Sequence, residues 1–234
     1  MRIAEIRRYP VKSMGGESLE SVDVDSRGLV GDRWFAVVDA EGKLGSGKNS
    51  RRFRRFDAIF EYAATMAADE VQVAGPSGSW VVGDTELDRV LSKHIGAEIR
   101  LLPEAGTPHQ DAGQVSLVGT SSLDWCREHL GVDGDRRRIR PNLVVETTEP
   151  FEEEGWGGAT MRVGGVELTV DRRIERCRMV DIAQEGLAEQ PGWLKALGRE
   201  REVCLGVYAD VASAGSLALG DRVDVVPMTD FPRD

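Results

Sequence analysis

Val166-Glu167-Leu168-Thr169-Val170-Asp171-Arg172-Arg173-Ile174-Glu175-Arg176-Cys177-Arg178 carries two messages in one stretch. Its first half sets the fold class. Val166, Leu168 and Val170 alternate with polar neighbours, the period of a strand with one buried face. The same period recurs on either side. Val71 and Val73 alternate, Gly75-Pro76-Ser77-Gly78 turns the chain, and Trp80-Val81-Val82 reads as the returning arm of a hairpin. Trp34 to Val38 is a nearly continuous apolar run, and Glu41-Gly42 after it signals another hairpin. Leu19, Val22 and Val24 suit one short strand before the Arg27-Gly28 turn. Downstream, Asn142 to Glu146, Leu205 to Tyr208 and Val223 to Val226 add further strands.

Helices are fewer. Leu87, Val90, Leu91 and Ile95 share one helical face behind Asp84-Thr85, and Gly96 ends the run. Ser121 precedes Asp124 by three, a capping-box-like start to a stripe of Leu123, Cys126 and Leu130 that Gly131 stops. A short helix is expected around Trp193 to Leu197. Phe56 to Ala68 fits a helix through Phe56, Ile59, Phe60 and Ala63, or a strand through Ile59, Glu61 and Ala63. The reading is therefore mainly β with a few helices (α+β), barrel-like. The Pro-, Gly- and polar-rich segment from Pro103 to Gly113 suggests a boundary near residue 103, giving domains 1–102 and 103–228.

The chain has 234 residues, 41% hydrophobic and 30% charged, which is ordinary for a soluble globular protein with a sizeable core. Lys and Arg number 30 against 40 Asp and Glu, a net charge of −10. That argues against nucleic acid or an anionic membrane as partner. The start Met1-Arg2-Ile3-Ala4-Glu5-Ile6-Arg7-Arg8 is too charged for a signal peptide, and no apolar run nears a membrane span, so a cytoplasmic location is expected. The 3 Cys have no close pair, and His94, His109 and His129 lack the spacing of a zinc site.

The second half of the opening stretch is basic. Arg172-Arg173 with Arg176 and Arg178 forms one of three such clusters. The others are Arg51-Arg52 with Arg54-Arg55, and Arg136-Arg137-Arg138 with Arg140. Guanidinium forks suit phosphate, while pairing with nearby Asp and Glu on a solvated face is the plainer alternative. The third cluster surrounds Cys177. Flanking cations favour thiolate over thiol, and a thiolate is a nucleophile or a soft-metal ligand. Cys126 lies on an apolar helical stripe and Cys204 begins an apolar strand, so both read as small core residues. Local context leaves Cys177 open between structural and reactive roles.

An ordered set of short signatures runs along the chain: Tyr9-Pro10-Val11-Lys12-Ser13, Gly31-Asp32-Arg33-Trp34, Arg140-Pro141-Asn142-Leu143-Val144-Val145, Glu154-Gly155-Trp156, Arg176-Cys177, Gly206-Val207-Tyr208 and Gly220-Asp221. With these the chain resembles the MOSC family, named for the C-terminal domain of molybdenum cofactor sulfurases, preceded by the β-barrel domain that often accompanies it. The resemblance implies an N-terminal β-barrel domain plus a MOSC β-barrel domain. It also implies a molybdenum–pterin oxidoreductase similar to the mitochondrial amidoxime-reducing component and its bacterial relatives. Cys177 would then be the protein ligand to molybdenum. Lys12, Ser13, Arg33, Lys48, Arg140, Asn142 and Arg176 would contact the molybdenum cofactor, and Ser122 at a helix start would receive its terminal phosphate. Pro141 would fix the relative orientation of Arg140 and Asn142. Glu175 departs from the small polar residue of some relatives.

The reaction so implied is reductive removal of oxygen from an N-hydroxylated compound, with Asp171 and Glu175 as nearby candidates for proton supply. No cysteine cluster for an iron–sulfur centre, no dinucleotide fingerprint and no haem motif is found in the sequence, which implies an external electron-transfer protein. A cofactor carrier would need the same contacts. Sulfur transfer by a Cys177 persulfide is a third reading, disfavoured because the chain is too short for the pyridoxal-phosphate domain of the sulfurases. Loss of the cofactor is a fourth, against which the intact Cys177 and Arg140-Pro141-Asn142 speak.

Overall fold

The structure is a computed structural model that describes residues 1–68 and 70–227. The expected domain end at residue 228 lies outside the described residues. Among those described, the largest sheet has eight strands, in the order Val223–Val226, Thr160–Val163, Val166–Glu175, Cys204–Ser213, Val115–Gly119, Leu143–Val145, Ile3–Arg8 and Glu17–Leu19. All neighbours are antiparallel except Val115–Gly119 and Leu143–Val145. The sheet curls back on itself. Arg2 bridges Arg222, the Ile3 amide donates to the Asp221 carbonyl, and the Val223 amide donates to the Met1 carbonyl. This is the expected barrel. Its alternating residues, Val166, Leu168 and Val170 with Met161, Val163, Val207 and Ala209, fill one apolar core.

Ser21–Asp25, Gly28–Leu29 and Gly215–Ala218 form a small flanking sheet. The single strand expected over Leu19 to Val24 is thus two strands in two sheets. Leu19 and Val22 lie three apart, which breaks the period of two, and the chain bends at Glu20 where the register fails.

The rest of the first half has its own core around Val37, Ile59, Tyr62, Val73, Leu87 and Leu91. Phe35–Asp39 pairs with Leu44–Ser46 and with Ile99–Pro103. Glu70–Gly75 and Gly78–Val81 make the expected hairpin, with Ala63–Ala67 on its other side. Phe56 to Ala68 resolves both alternatives in series, a 3-10 turn at Asp57–Glu61 and then that strand. Helix Thr85–Ile95 starts and stops as expected: the Asp84 side chain accepts from the Glu86 amide, and Gly96 takes φ 75°.

The expected boundary near residue 103 falls at the end of Ile99–Pro103. The strands before residue 30, however, pair with strands from beyond residue 140, so the two halves share sheets. The helix carrying Cys126 spans Thr120–His129, with Gly119 at its N-cap. Ser121 is therefore not the cap, because it already lies inside the helix and its hydroxyl donates to the Thr147 carbonyl. The helix expected around Trp193 to Leu197 spans Trp193–Arg201. No helix of the described residues is long and apolar enough to cross a membrane.

Candidate functional site

A cleft of about 420 Å³ opens between the two halves. The first half contributes Lys12, Ser13, Arg33 and Lys48 to its lining. The second half contributes Arg140, Asn142, Arg176 and Cys177. These eight residues, far apart in sequence, are the site residues expected above with the exception of Ser122.

Backbone bends aim several of them. Ser13, Arg33 and Arg140 have φ of 69°, 52° and 53°, the left-handed region that side-chain-bearing residues seldom adopt. Arg140 ends the short helix Arg136–Ile139, its amide donating to the Arg136 carbonyl at 2.8 Å. Pro141 then forces the chain outward into Leu143–Val145. Ser13 donates its hydroxyl to the Gly45 carbonyl at 3.0 Å, which ties the bend to a neighbouring strand.

Tyr9 is the hub of the buried charges. Its ring is fully buried, and the guanidiniums of Arg7, Arg33 and Arg140 lie 5.5, 5.1 and 4.2 Å from its centroid. Arg33 is paired with Asp32, and burial of this pair is outweighed by the carboxylates of Asp32 and Asp111, so its charge is held firmly. Asn142 turns its amide inward. Its Oδ1 accepts from the Ser116 amide at 3.1 Å and the Ser116 hydroxyl at 2.9 Å, and its Nδ2 donates to the Arg7 carbonyl at 3.3 Å. Asn142 thus locks the strands behind Arg33.

Arg140 is different. One terminal nitrogen donates to the Met14 carbonyl, and the other, Nη1, is buried without a partner. Burial lowers its pKa, with Tyr9 and Glu185 opposing. Arg176 is likewise disfavoured by burial, and it spends three donors on the carbonyls of Leu205 and Ile139. Buried Arg140 and half-buried Arg176, neither bonded to a carboxylate, make the cleft wall receptive to an anion. Lys48 stands exposed at the mouth, 5.1 Å from the Phe53 ring.

Cys177 follows strand Val166–Glu175 and is partly exposed to the cleft. Its segment is pinned by arginines. Arg178 turns away to grip Asp57 through two contacts of 2.9 and 2.8 Å and to donate to the Gly47 carbonyl. Arg178 and Arg55 hold Asp57 down at about 2, against its partial burial. Buried Arg138 donates to Asp133 and to the carbonyls of Val180, Ile182 and Ala188. The other two cysteines are core residues, as expected. Burial pushes the Cys126 thiol up to about 12 and raises that of Cys204.

Most of the basic clusters follow the plainer reading. Arg54 pairs with Asp39 and Glu41, Arg55 with Asp57, Arg136 with Glu5, Arg137 with Asp135, and Arg173 with Glu154 and Glu202. Ser122 departs from its expected place. It is fully buried outside the cleft lining, donating to Glu153 at 2.8 Å and accepting from the Phe151 amide at 2.8 Å. Glu153, itself 0% exposed, occupies that helix start from within the protein, and burial pushes its carboxyl up from the usual range. Asp171 pairs with Arg172 and does not line the cleft, whereas Glu175 does.

Sequence reasoning missed Asp111 and Tyr208, both in the lining. Asp111 accepts from Lys12 Nζ at 2.8 Å. Tyr208 carried a signal, since it sits in the Gly206-Val207-Tyr208 signature. Asp111 carried none, lying in a polar loop 99 positions from its partner.

Among the described residues no group of three or more His, Cys, Asp or Glu is placed to hold a metal ion. A metal at Cys177 would thus take its other ligands from a chelating cofactor. The soft thiol, the orphaned Arg140 Nη1 and the cations beside them fit an anionic, metal-bearing group of that kind.

The comparisons with known proteins agree with this architecture. The profile of the MOSC N-terminal beta barrel domain matches residues 1–93, and that of the MOSC domain matches 104–224. Proteins named molybdenum cofactor sulfurase from Anopheles gambiae and Danio rerio are each 24% identical, over 90% and 92% of this chain. The matches span 34% and 33% of those longer proteins, so this chain corresponds to about a third of their length. The crystal structure of the YUAD protein from Bacillus subtilis superposes with a TM-score of 0.57 at 13% identity, covering 97% of this chain and 96% of that one. The chain belongs to the MOSC domain family, related to the molybdenum cofactor sulfurases.

Proposed function

We propose that the cleft binds a molybdenum–pterin cofactor and that the protein is an oxidoreductase acting on N-hydroxylated compounds. The observation that carries this reading is the placing of the Cys177 thiol in one cleft with buried Arg140, whose Nη1 has no partner, and half-buried Arg176, neither bonded to a carboxylate. Cys177 is the protein ligand to the metal. Lys12, Arg33, Lys48 and Arg140 hold the anionic cofactor, with Ser13, Asn142 and Arg176 fixing the backbone from which they project. The bound cofactor supplies two-electron chemistry that the protein's own side chains lack. Removing oxygen from an N-hydroxyl group consumes two electrons and two protons and releases water. Glu175, exposed at the cleft rim, relays protons from solvent. Electrons come from a separate redox protein, for which the net charge of −10 favours a basic docking face.

A second reading, a carrier for the cofactor or its sulfur, is favoured by the sulfurase relatives. One experiment separates the two. The protein and Cys177→Ala are purified from a host that makes the cofactor, and metal, pterin and amidoxime or hydroxylamine reduction with a competent donor are measured. The reductase reading expects bound metal, turnover, and loss of both in the variant. Bound metal without turnover favours the cofactor carrier, and absence of metal from the unmutated protein refutes the reductase reading and leaves at most a sulfur carrier.

A further inference from the structure

Lys12 and Asp111 are unequal partners. Lys12 is 4% exposed and rigidly placed, its amide donating to the Phe35 carbonyl at 2.8 Å and its ammonium lying 5.1 Å from the Phe53 ring. The Asp111 side chain is 47% exposed and sits on the loop between strands Ile99–Pro103 and Val115–Gly119. Lys12 is the sole hydrogen-bond donor to its carboxylate among the described residues. The loop backbone is fastened on both sides, within by the buried His109 ring against the Arg33 carbonyl and without by two arginines. Arg52 donates to the carbonyls of Pro108, Gln110 and Asp111, and Arg172 donates to the Ala112 carbonyl at 3.0 Å. One member of the ion pair is therefore built into the wall of the cleft, and the other is a half-exposed side chain with open solvent to swing into.

We propose that Asp111 is a built-in competitor for the Lys12 corner of the cleft, and that an anionic group takes this corner by displacing its carboxylate. The proposal rests on the reading above only in assigning the cleft an anionic ligand. A ligand with a single negative charge exchanges one carboxylate-like contact for another and gains little. A phosphate or pyrophosphate carries more charge and can also engage Arg33 and Lys48, so it outbids the internal carboxylate. Although partial burial works against it, the charges of Lys12, Arg33 and Lys48 hold the Asp111 carboxyl well below the usual carboxylate range, so the competitor stays ionised at neutral pH. The consequence is a filter. Weak anions are kept off Lys12, and a multiply charged ligand pays a fixed cost on entry.

The test uses the full chain made in a host without pterin synthesis, with inorganic pyrophosphate as probe and titration calorimetry at constant ionic strength. Asp111→Asn is expected to bind pyrophosphate roughly two- to fivefold more tightly than the unmutated protein, about the value of one partly exposed ion pair. Lys12→Gln is expected to weaken binding and to shrink the gain from Asp111→Asn. Equal or weaker binding by Asp111→Asn overturns the proposal and makes Asp111 a positioning partner of Lys12. Failure of both proteins to bind pyrophosphate overturns it as well. Metal and pterin content decide the cofactor reading separately. Tightening by Asp111→Asn, when protein from a cofactor-making host carries no pterin, would leave the competitor standing with another anionic ligand.

Discussion

Ser122 has its hydroxyl spent twice, on Glu153 and on the Phe151 amide, so removing it should cost stability and leave ligand binding alone. Ser122→Ala is expected to destabilise the fold by about 1–3 kcal/mol, the penalty for stranding buried polar groups. Denaturant titration reads the loss, and pterin content per folded molecule should not change. Asp57 makes a pH-dependent case. Its pKa of about 2 lies below that of an unfolded aspartate. Its pair with Arg178 therefore stabilises fully above about pH 4 and is lost as the pH falls through 2. The side chain is 39% exposed, which discounts the effect to about 1 kcal/mol at pH 7. Asp57→Asn should lose that amount at pH 7 and converge with the unmutated protein near pH 2 in urea titrations. The partly exposed position of Cys177 was legible because charged neighbours in sequence set it apart from two apolar-flanked cysteines, which are buried. What those neighbours do was not legible. Arg178 looked like a partner for the thiol, and it reaches instead for a carboxylate 121 positions away.

The strands were the most readable elements, because period-two alternation is local and a one-residue slip would turn every apolar side chain outward. The elements that shape the cleft break this pattern. Val166–Glu175 loses register with Cys204–Ser213 between Val170 and Arg173 and again between Arg173 and Glu175. Those irregularities reorient the run of arginines that leads to Cys177. Gly206 lies opposite them with φ 74°, and a Cβ there would sit 2.5 Å from the Leu117 carbonyl and 3.3 Å from Arg176. Gly206→Ala should therefore destabilise by at least about 2 kcal/mol. It should also displace Arg176, seen as a lowered melting temperature together with altered reactivity of Cys177 towards a thiol reagent. The helix start at Thr120 was misjudged by a residue or two because Gly119 has no side chain to cap with and the Ser121 amide donates instead to the Thr147 hydroxyl, 26 positions on. A cap supplied from that distance leaves no local trace.

The two family profiles divide the chain near residue 100, yet its sheets do not divide there. Strand Ile3–Arg8 lies between Leu143–Val145 and Glu17–Leu19 and meets the opposite edge of the barrel at residues 220–223. A fragment of residues 104–227 would bare the edge of Leu143–Val145 and strip Ile3, Ile6, Val22, Val24 and Leu29 from the barrel core. It is expected to aggregate or to lack the dispersed amide spectrum of a folded protein, and co-expression with residues 1–103 should restore that spectrum. Site and fold are inseparable for the same reason, since Lys12 and Arg33 reach Cys177 only across this shared seam. The seam also imposes an order in time. Residues 3–8 leave the ribosome among the first, and the segment that closes the barrel against them emerges more than two hundred residues later. At about 5–20 residues per second, the first strand waits on the order of ten seconds or more for its last partner. Throughout that interval the strand has Glu17–Leu19 beside it but the barrel stays open on its far side, which makes the newborn chain a natural client for chaperones well before it has any cleft to fill.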